Sequence, residues 1–104
     1  MNLNEFIKGW IVGDFNPSII RTKDIEVGIK KYFIGDKEST HVHNFVDEYT
    51  IVVSGKIKMN DIIYSENEIA VVKKTIPNKF ECLEDAVIVV IKSSSYPQDK
   101  IILE

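Results

Sequence analysis

Short runs of β-branched and aromatic residues, separated by turn-forming residues, recur along most of this chain and leave no room for a long helix. Such runs at short, regular spacing are typical of sandwiches and barrels of antiparallel strands. Asn60 and Asp61 stand between two apolar runs, where a tight hairpin needs residues tolerant of positive φ. The predicted strands cover residues 26–34, 40–44, 48–54, 56–59, 62–64, 69–72, 79–83 and 86–93.

The first residues predict a short helical turn ahead of this all-β region. Asn2 is a suitable N-cap and Glu5 follows three residues later, as in a capping box, while Gly9 can end the turn. A chain of 104 residues with 44% hydrophobic content suits one domain with a small core. We therefore expect a single domain over 1–104, with an N-terminal arm (1–24), a barrel (25–93) and a C-terminal tail or strand (94–104).

Charge and hydropathy exclude several partner classes. Lys and Arg total 13 against 16 Asp and Glu, so a formal net charge of -3 gives no electrostatic footprint for nucleic acid or an anionic membrane. The longest apolar run, 86–91, is too short to span a bilayer, and no basic region followed by an apolar core opens the chain. We expect a soluble, cytoplasmic protein. Cys82 is the single cysteine, so no disulfide forms within the chain.

Two predicted strands are apolar on both faces, at 49–53 and 86–91. One face should line the barrel, and the other must be covered by the N-terminal segment, a second sheet or another subunit, because large exposed apolar patches are uncommon on monomers. The sequence therefore predicts a homodimer. Residues 93–100 are polar and predict a loose connection to 101–103, which either pair as a terminal strand or cross to a partner.

The residues with the clearest chemical meaning lie within 35–55. Gly35, His41, His43, Glu48 and Gly55 occur there in order, separated by five, one, four and six residues. Because side chains alternate along a strand, the two imidazoles of a His-x-His pair point the same way, and Glu48 on the next strand can join them. Two His and one carboxylate can hold a divalent metal and leave coordination positions open.

This spacing resembles the first motif of the cupin superfamily, G-x5-H-x-H-x(3,4)-E-x6-G, and matches it at every fixed position. The resemblance is to small single-domain cupins with the conserved cupin-2 barrel. It implies a double-stranded β-helix, or jelly-roll barrel, and a site in which His41, His43 and Glu48 hold iron, manganese, nickel or zinc.

The second cupin motif is matched less well. Asn78 stands where the third His ligand is expected, and Cys82 stands where the closing Asn is expected. An amide oxygen is a poorer ligand than imidazole, so Asn78 predicts weaker, exchangeable metal binding. Alternation places Asn78, Phe80 and Cys82 on the inward face, with Phe80 and Cys82 lining the pocket. Cys82 is either a soft ligand or, as is commoner, a small buried hydrophobe. Trp10, Tyr32 and Tyr49 are interpreted as packing or interface residues.

Three functional hypotheses follow. The first is a small metal-binding cupin that acts on or binds a small polar molecule in the barrel. In the second, His41 and His43 act without metal as acid and base, as in cupin-like sugar isomerases and epimerases. Arg21 is the single arginine, which argues against a nucleotide-diphosphate sugar. The third is a noncatalytic ligand-binding module. The sequence favours the first and leaves the reaction open.

Overall fold

The computed structural model describes residues 1–103, which form β-strands connected by turns after two short 3₁₀ turns. The predicted all-β class is therefore confirmed. None of the described helical turns has the length and hydrophobicity to cross a bilayer. The elements are the 3₁₀ turns Leu3–Glu5 and Ile7–Gly9 and the strands β1 Trp10–Val12, β2 Glu26–Tyr32, β3 Lys37–His43, β4 Glu48–Met59, β5 Ile62–Ser65, β6 Ile69–Val72, β7 Asn78–Lys92 and β8 Lys100–Ile102.

The predicted N-terminal turn is confirmed. The Asn2 side chain accepts a hydrogen bond from the backbone N–H of Asn4 at 2.9 Å, and the Asn2 N–H donates to the Glu5 carboxylate. This is a capping box, although it begins a 3₁₀ turn rather than an α-helix. The turn leads into β1, which pairs with β2 at the edge of the sheet.

Strand β7 organises the sheet because it pairs on both sides. Its first residues pair with β3, with Asn78 opposite His41, and its second half pairs with β2. Strand β4 runs antiparallel to it along the other side. Two predicted breaks are wrong, since the runs predicted at 48–54 and 56–59 lie in the single strand Glu48–Met59, and those predicted at 79–83 and 86–93 lie in Asn78–Lys92, apart from residue 93. The β4–β7 register shifts near Gly55, so an irregularity bends the paired strands where the sequence indicated an interruption.

The hairpin between β4 and β5 turns at the predicted residues. Asn60 and Asp61 have φ of 51° and 68°, the left-handed values that a tight two-residue hairpin requires. The core lies between the two layers of the curled sheet, where Val52, Ile57 and Cys82 are almost completely buried. The C-terminal residues pair within the same chain, because β8 lies antiparallel to β3 with Val42 opposite Ile101.

The outer side of the sheet carries a group of apolar residues that we call the outer apolar face. Tyr49 is paired with Val71 on one side and Ile91 on the other, and Ile51 is paired in the same way with Ile69 and Val89. Ile69 is 56% exposed and Val71 50% exposed, so no described part of the chain covers this edge of the face. The face is defined as Tyr49, Ile51, Ile69, Val71, Val89 and Ile91.

Candidate metal centre and its cavity

The paired histidines lie side by side inside the barrel. His41 and His43 alternate with the half-buried Val42 on β3, so both imidazoles point inward, and each residue is 4% exposed. Their rings meet edge to face with centroids 5.1 Å apart. The carbonyl of Ser39 lies 3.2 Å from His41 Nδ1. A proton on Nδ1 bonded to that carbonyl leaves Nε2 of His41 as the free lone-pair nitrogen.

Glu48 brings a carboxylate to these nitrogens from the start of β4. Its Oε2 lies 3.4 Å from His43 Nε2 and 3.9 Å from His41 Nε2. One ligand atom from each of the three residues lies within 4.8 Å of the others, and all three residues are buried. The structure thus brings together the three side chains that the motif predicted to be neighbours.

Asn78 completes the ring of polar side chains. Its Nδ2 donates a hydrogen bond of 3.2 Å to Glu48 Oε2, while its Oδ1 is buried without a partner. Both ring nitrogens of His43 are also buried without a hydrogen-bond partner. Burying a polar atom unpaired costs about 1–3 kcal/mol. A neutral imidazole carries a proton on one of its two nitrogens, so His43 offers one acceptor. With the proton on Nδ1, His43 Nε2 lies 3.4 Å from Glu48 Oε2, and this nitrogen, Asn78 Oδ1 and the buried carboxylate together suit a cation.

Glu48 is suited to be the anionic member of this group. Burial alone would raise the pKa of its carboxyl, but the adjacent imidazoles of His41 and His43 and the charge of Lys92 outweigh burial and hold the pKa well below its usual range. The carboxylate therefore stays ionised across the physiological pH range.

A second buried carboxylate supports the histidines from behind. Asp99 is 4% exposed and accepts hydrogen bonds of 2.9 Å from the backbone N–H groups of Asn44 and Phe45. Its Oδ2 also lies 4.0 Å from Nδ1 of His43. The segment predicted to be a loose connection is in fact attached to the barrel here, and also at Ser95, whose hydroxyl accepts the Asp14 N–H at 2.7 Å. Sequence reasoning missed Asp99 because nothing near it in the chain links it to the histidines.

The His–Glu site lies in the wall of a cavity of about 940 Å³, large enough for a small organic molecule. Phe80 lines this cavity as predicted, with Met59, Ile88 and Val90 among the apolar lining residues. Cys82 is buried as predicted, but it packs in the core and is not among the cavity residues. Its Sγ donates to the carbonyl of Glu84 at 2.9 Å. The alternative of a buried, nonligating cysteine is the one that fits the structure.

The cavity contains lysines that the sequence did not single out. The ammonium groups of Lys30 and Lys92 lie 4.4 Å and 4.7 Å from the ring centroid of Trp10. Lys92 also forms an ion pair with the buried Glu26, with Nζ 3.6 Å from Oε1, and stands opposite Glu48 in the β4–β7 register. Trp10 was interpreted as a packing residue, and it does pack against the core, but it lines the cavity as well.

Tyr32 is a second aromatic residue at the cavity wall. Its ring lies 4.7 Å from that of Phe80, and its hydroxyl donates a 2.6 Å hydrogen bond to Glu38 Oε1. Burial, together with the charge and hydrogen bond of Glu38, raises the pKa of Tyr32 far above its usual value. Tyr32 is therefore a neutral hydrogen-bonding group, and Glu38 beside it is an acceptor.

No protein-family model and no curated protein sequence matches this chain. Several solved structures do share its fold. An uncharacterized conserved protein with a double-stranded β-helix domain from Klebsiella pneumoniae subsp. pneumoniae MGH 78578 is 17% identical with a TM-score of 0.72, over 100% of this chain and 96% of that one. KdgF from Halomonas sp. is 20% identical with a TM-score of 0.66, over 73% of this chain and 74% of that one.

A third similar structure is much longer than this chain. Oxalate decarboxylase from Bacillus subtilis, described with Mn(II) centres, is 18% identical with a TM-score of 0.66 over 78% of this chain. The chain spans only 24% of that protein. At these identities the likeness establishes a shared fold.

Proposed function

We propose that this chain, which has the double-stranded β-helix fold of the cupins, binds a divalent metal ion through His41, His43 and Glu48 and acts on or binds a small molecule in the adjoining cavity. The observation that carries the proposal is the buried group formed by one acceptor nitrogen of His43, the unpartnered Oδ1 of Asn78 and the ionised Glu48, with His41 beside them. Two imidazoles and one carboxylate suit iron, manganese, nickel or zinc. The structurally similar oxalate decarboxylase is described with Mn(II) centres, which supports the proposal that this fold holds a divalent metal here.

A metal held there would supply a Lewis acid with open coordination positions. The chain's own residues would shape what reaches it. Asn78 keeps one Glu48 oxygen oriented through its amide N–H, and its free Oδ1 can act as a weak further ligand or accept a hydrogen bond from a bound molecule. Phe80, Ile88 and Val90 restrict water along the apolar wall.

Changing Glu48 to glutamine should abolish stoichiometric metal binding. The substitution removes the single ligand charge, so the affinity should fall by more than the roughly 10- to 100-fold typical of residues outside the ligand set. Metal per subunit is measured by inductively coupled plasma mass spectrometry on protein purified without a metal-binding tag. Glu66→Gln is the matched control, because Glu66 lies in the exposed turn after β5.

Equal metal content in the two variants would contradict the proposed ligand set. A wild-type protein that contains no metal and takes up none from added iron, manganese, nickel or zinc would overturn metal binding altogether. Turnover of a small substrate in that state would instead assign acid–base chemistry to the His41–His43 pair.

We also propose that the outer apolar face is covered by a second copy of this chain. Its six residues are uncharged and form a regular two-row patch across three strands, so the face carries no charge pattern that would select an unlike partner. Ile69 and Val71 are about half exposed, and burying such residues favours association.

Multi-angle light scattering at micromolar concentration should give the mass of a dimer. Adding charge to the face with Val71→Lys should shift the protein to monomer, because an ammonium group buried without a partner is costly. Ile62→Lys is the control, since Ile62 is 56% exposed on β5 and lies outside the face. A monomeric wild type, or dissociation in both variants alike, would contradict this interface.

A further inference from the structure

We infer that the molecule bound in the cavity is a small organic carboxylate, whose negative charge is held by Lys30 and Lys92 beside Trp10. The inference rests on the proposed function only in placing the bound molecule in the same cavity as the candidate metal site. It adds the chemical class of that molecule, and a second set of residues that recognises it.

The first argument is the charge of the cavity wall. The residues that line it include five lysines, three glutamates and no arginine or aspartate, a balance of +2 with neutral histidines. The whole chain has a formal net charge of -3. Lys8, Lys31 and Lys100 are exposed, so their charge surrounds the cavity and attracts anions towards it, whereas Lys30 and Lys92 are partly buried within it. The charged lining residues are Lys8, Lys30, Lys31, Lys92, Lys100, Glu26, Glu38 and Glu48.

The second argument is that these lysines repel one another. Burial, and to a smaller extent the charges of Lys92, Lys100 and Lys8, together lower the pKa of Lys30 to about 8 against the opposing effect of Glu38. Glu26 compensates Lys92 at 3.6 Å, beyond hydrogen-bonding distance, and Lys30 Nζ donates a hydrogen bond of 2.6 Å to the uncharged carbonyl of Lys8. An anion near both ammonium groups would relieve this repulsion.

The third argument selects a carboxylate on an organic body. Protein phosphate sites commonly use arginine or backbone N–H groups at helix N-termini. Arginine is absent from the cavity lining, and no α-helix is present among residues 1–103. The remaining wall is largely apolar, with Trp10, Phe6 and Ile88 among its residues, and suits a carbon skeleton. Because Lys92 stands opposite Glu48, a carboxylate held there lies close to the His–Glu site.

The test is a calorimetric titration with malonate, using its uncharged diamide as the matched neutral ligand and inorganic phosphate as a second anion. It is carried out on the protein as purified and again after chelation of bound metal. Trp10 is the single tryptophan, so its fluorescence reports whether the ligand enters this part of the cavity. Variants Lys30→Gln and Lys56→Gln each remove one positive charge, but Lys56 lies outside the cavity and pairs with Glu84.

We expect malonate to bind chelated protein and alter Trp10 fluorescence, with roughly tenfold weaker affinity in Lys30→Gln and unchanged affinity in Lys56→Gln. Equal binding of the diamide, binding of phosphate alone, or equal losses in the two variants would overturn the inference. These results are independent of the metal measurement. A protein that holds metal but ignores malonate retains the proposed function, whereas one that binds malonate but never metal retains only the inference.

Malonate affinity should also depend on pH. As pH rises from 7 to 9 through the pKa of Lys30, the ammonium loses its proton and its charge, so affinity should fall about tenfold if the charged form alone binds. Burial lowers this pKa most, and the charged groups that act on Lys30 from the neighbouring elements are Glu38, which raises the pKa, and Lys92, Lys100 and Lys8, which lower it. Lys30→Gln should flatten the profile over this range. An equally steep profile in the variant would assign the dependence to another group and contradict the role of Lys30.

Discussion

Replacing Gly55 with alanine should destabilise the protein by roughly 3 kcal/mol or more and lower its melting temperature by over about 10 °C. Gly55 has φ of 84°, and an added Cβ would lie 2.2 Å from the carbonyl oxygen of Asp85 and 2.7 Å from the Cα of Ala86. Both are backbone atoms of β7, so neither can rotate away. The β4–β7 pairing would have to separate where the strands bend, and thermal unfolding monitored by circular dichroism measures the cost.

Gly35→Ala is the matched control for this prediction. Gly35 also has positive φ, 90°, but an added Cβ there meets nothing within 4 Å. Its cost is the left-handed conformation alone, about 1–2 kcal/mol, partly offset because alanine reduces the entropy of the unfolded chain. Equal melting temperatures in the two variants would show that close approach to β7 is not what requires glycine at position 55.

Asp99→Ala should produce the second-largest effect, and it should do so in two measurements at once. The substitution leaves the backbone N–H groups of Asn44 and Phe45 without their acceptor, at about 1–3 kcal/mol each. The same residues follow His43 directly, so the imidazole loses both its neighbouring carboxylate and its fixed backbone. Metal affinity should fall roughly 10- to 100-fold, as for other residues that orient a ligand.

Asp85→Ala is the control for Asp99, because Asp85 also accepts a backbone N–H, from Ile34 at 2.8 Å, but in an exposed place away from the histidines. Its loss should cost under about 1.5 kcal/mol and leave metal affinity unchanged. Asp99→Asn keeps one acceptor oxygen, so its losses of stability and metal affinity should lie between those of Asp99→Ala and Asp85→Ala. If Asp99→Ala melts early yet retains full metal affinity, Asp99 supports the fold without positioning His43.

Much of the site could be predicted because its information is local. The alternation of side chains along one strand places His41 and His43 on the same face, and the short turn to Glu48 returns the carboxylate to them. The hairpin at Asn60 and Asp61 was equally local, since positive φ is a property of those two residues. The ends of β4 and β7 were harder to predict, because pairing between the two strands keeps them continuous where the sequence indicates interruptions.

The sequence could not predict which side chains from distant segments come together in the folded protein. Lys30, Lys92 and Trp10 come from three strands, and nothing in the pattern near any one of them indicates that both ammonium groups lie close to the same ring. Along the sequence, these lysines are therefore indistinguishable from the other scattered basic residues. Asp99 is similar: a single carboxylate in a polar stretch predicts an exposed connection, and its burial depends on two backbone N–H groups more than fifty residues away.

The position of Asp99 also sets the order in which the site can be assembled during synthesis. Both histidines and Glu48 have been translated by residue 48, and Asn78 follows thirty residues later. The carboxylate that fixes the backbone after His43 is translated only at residue 99. The nascent chain therefore contains the proposed ligands before it contains the carboxylate that supports them. If the proposed site binds metal, we expect full affinity only after β8 has left the ribosome and paired with β3.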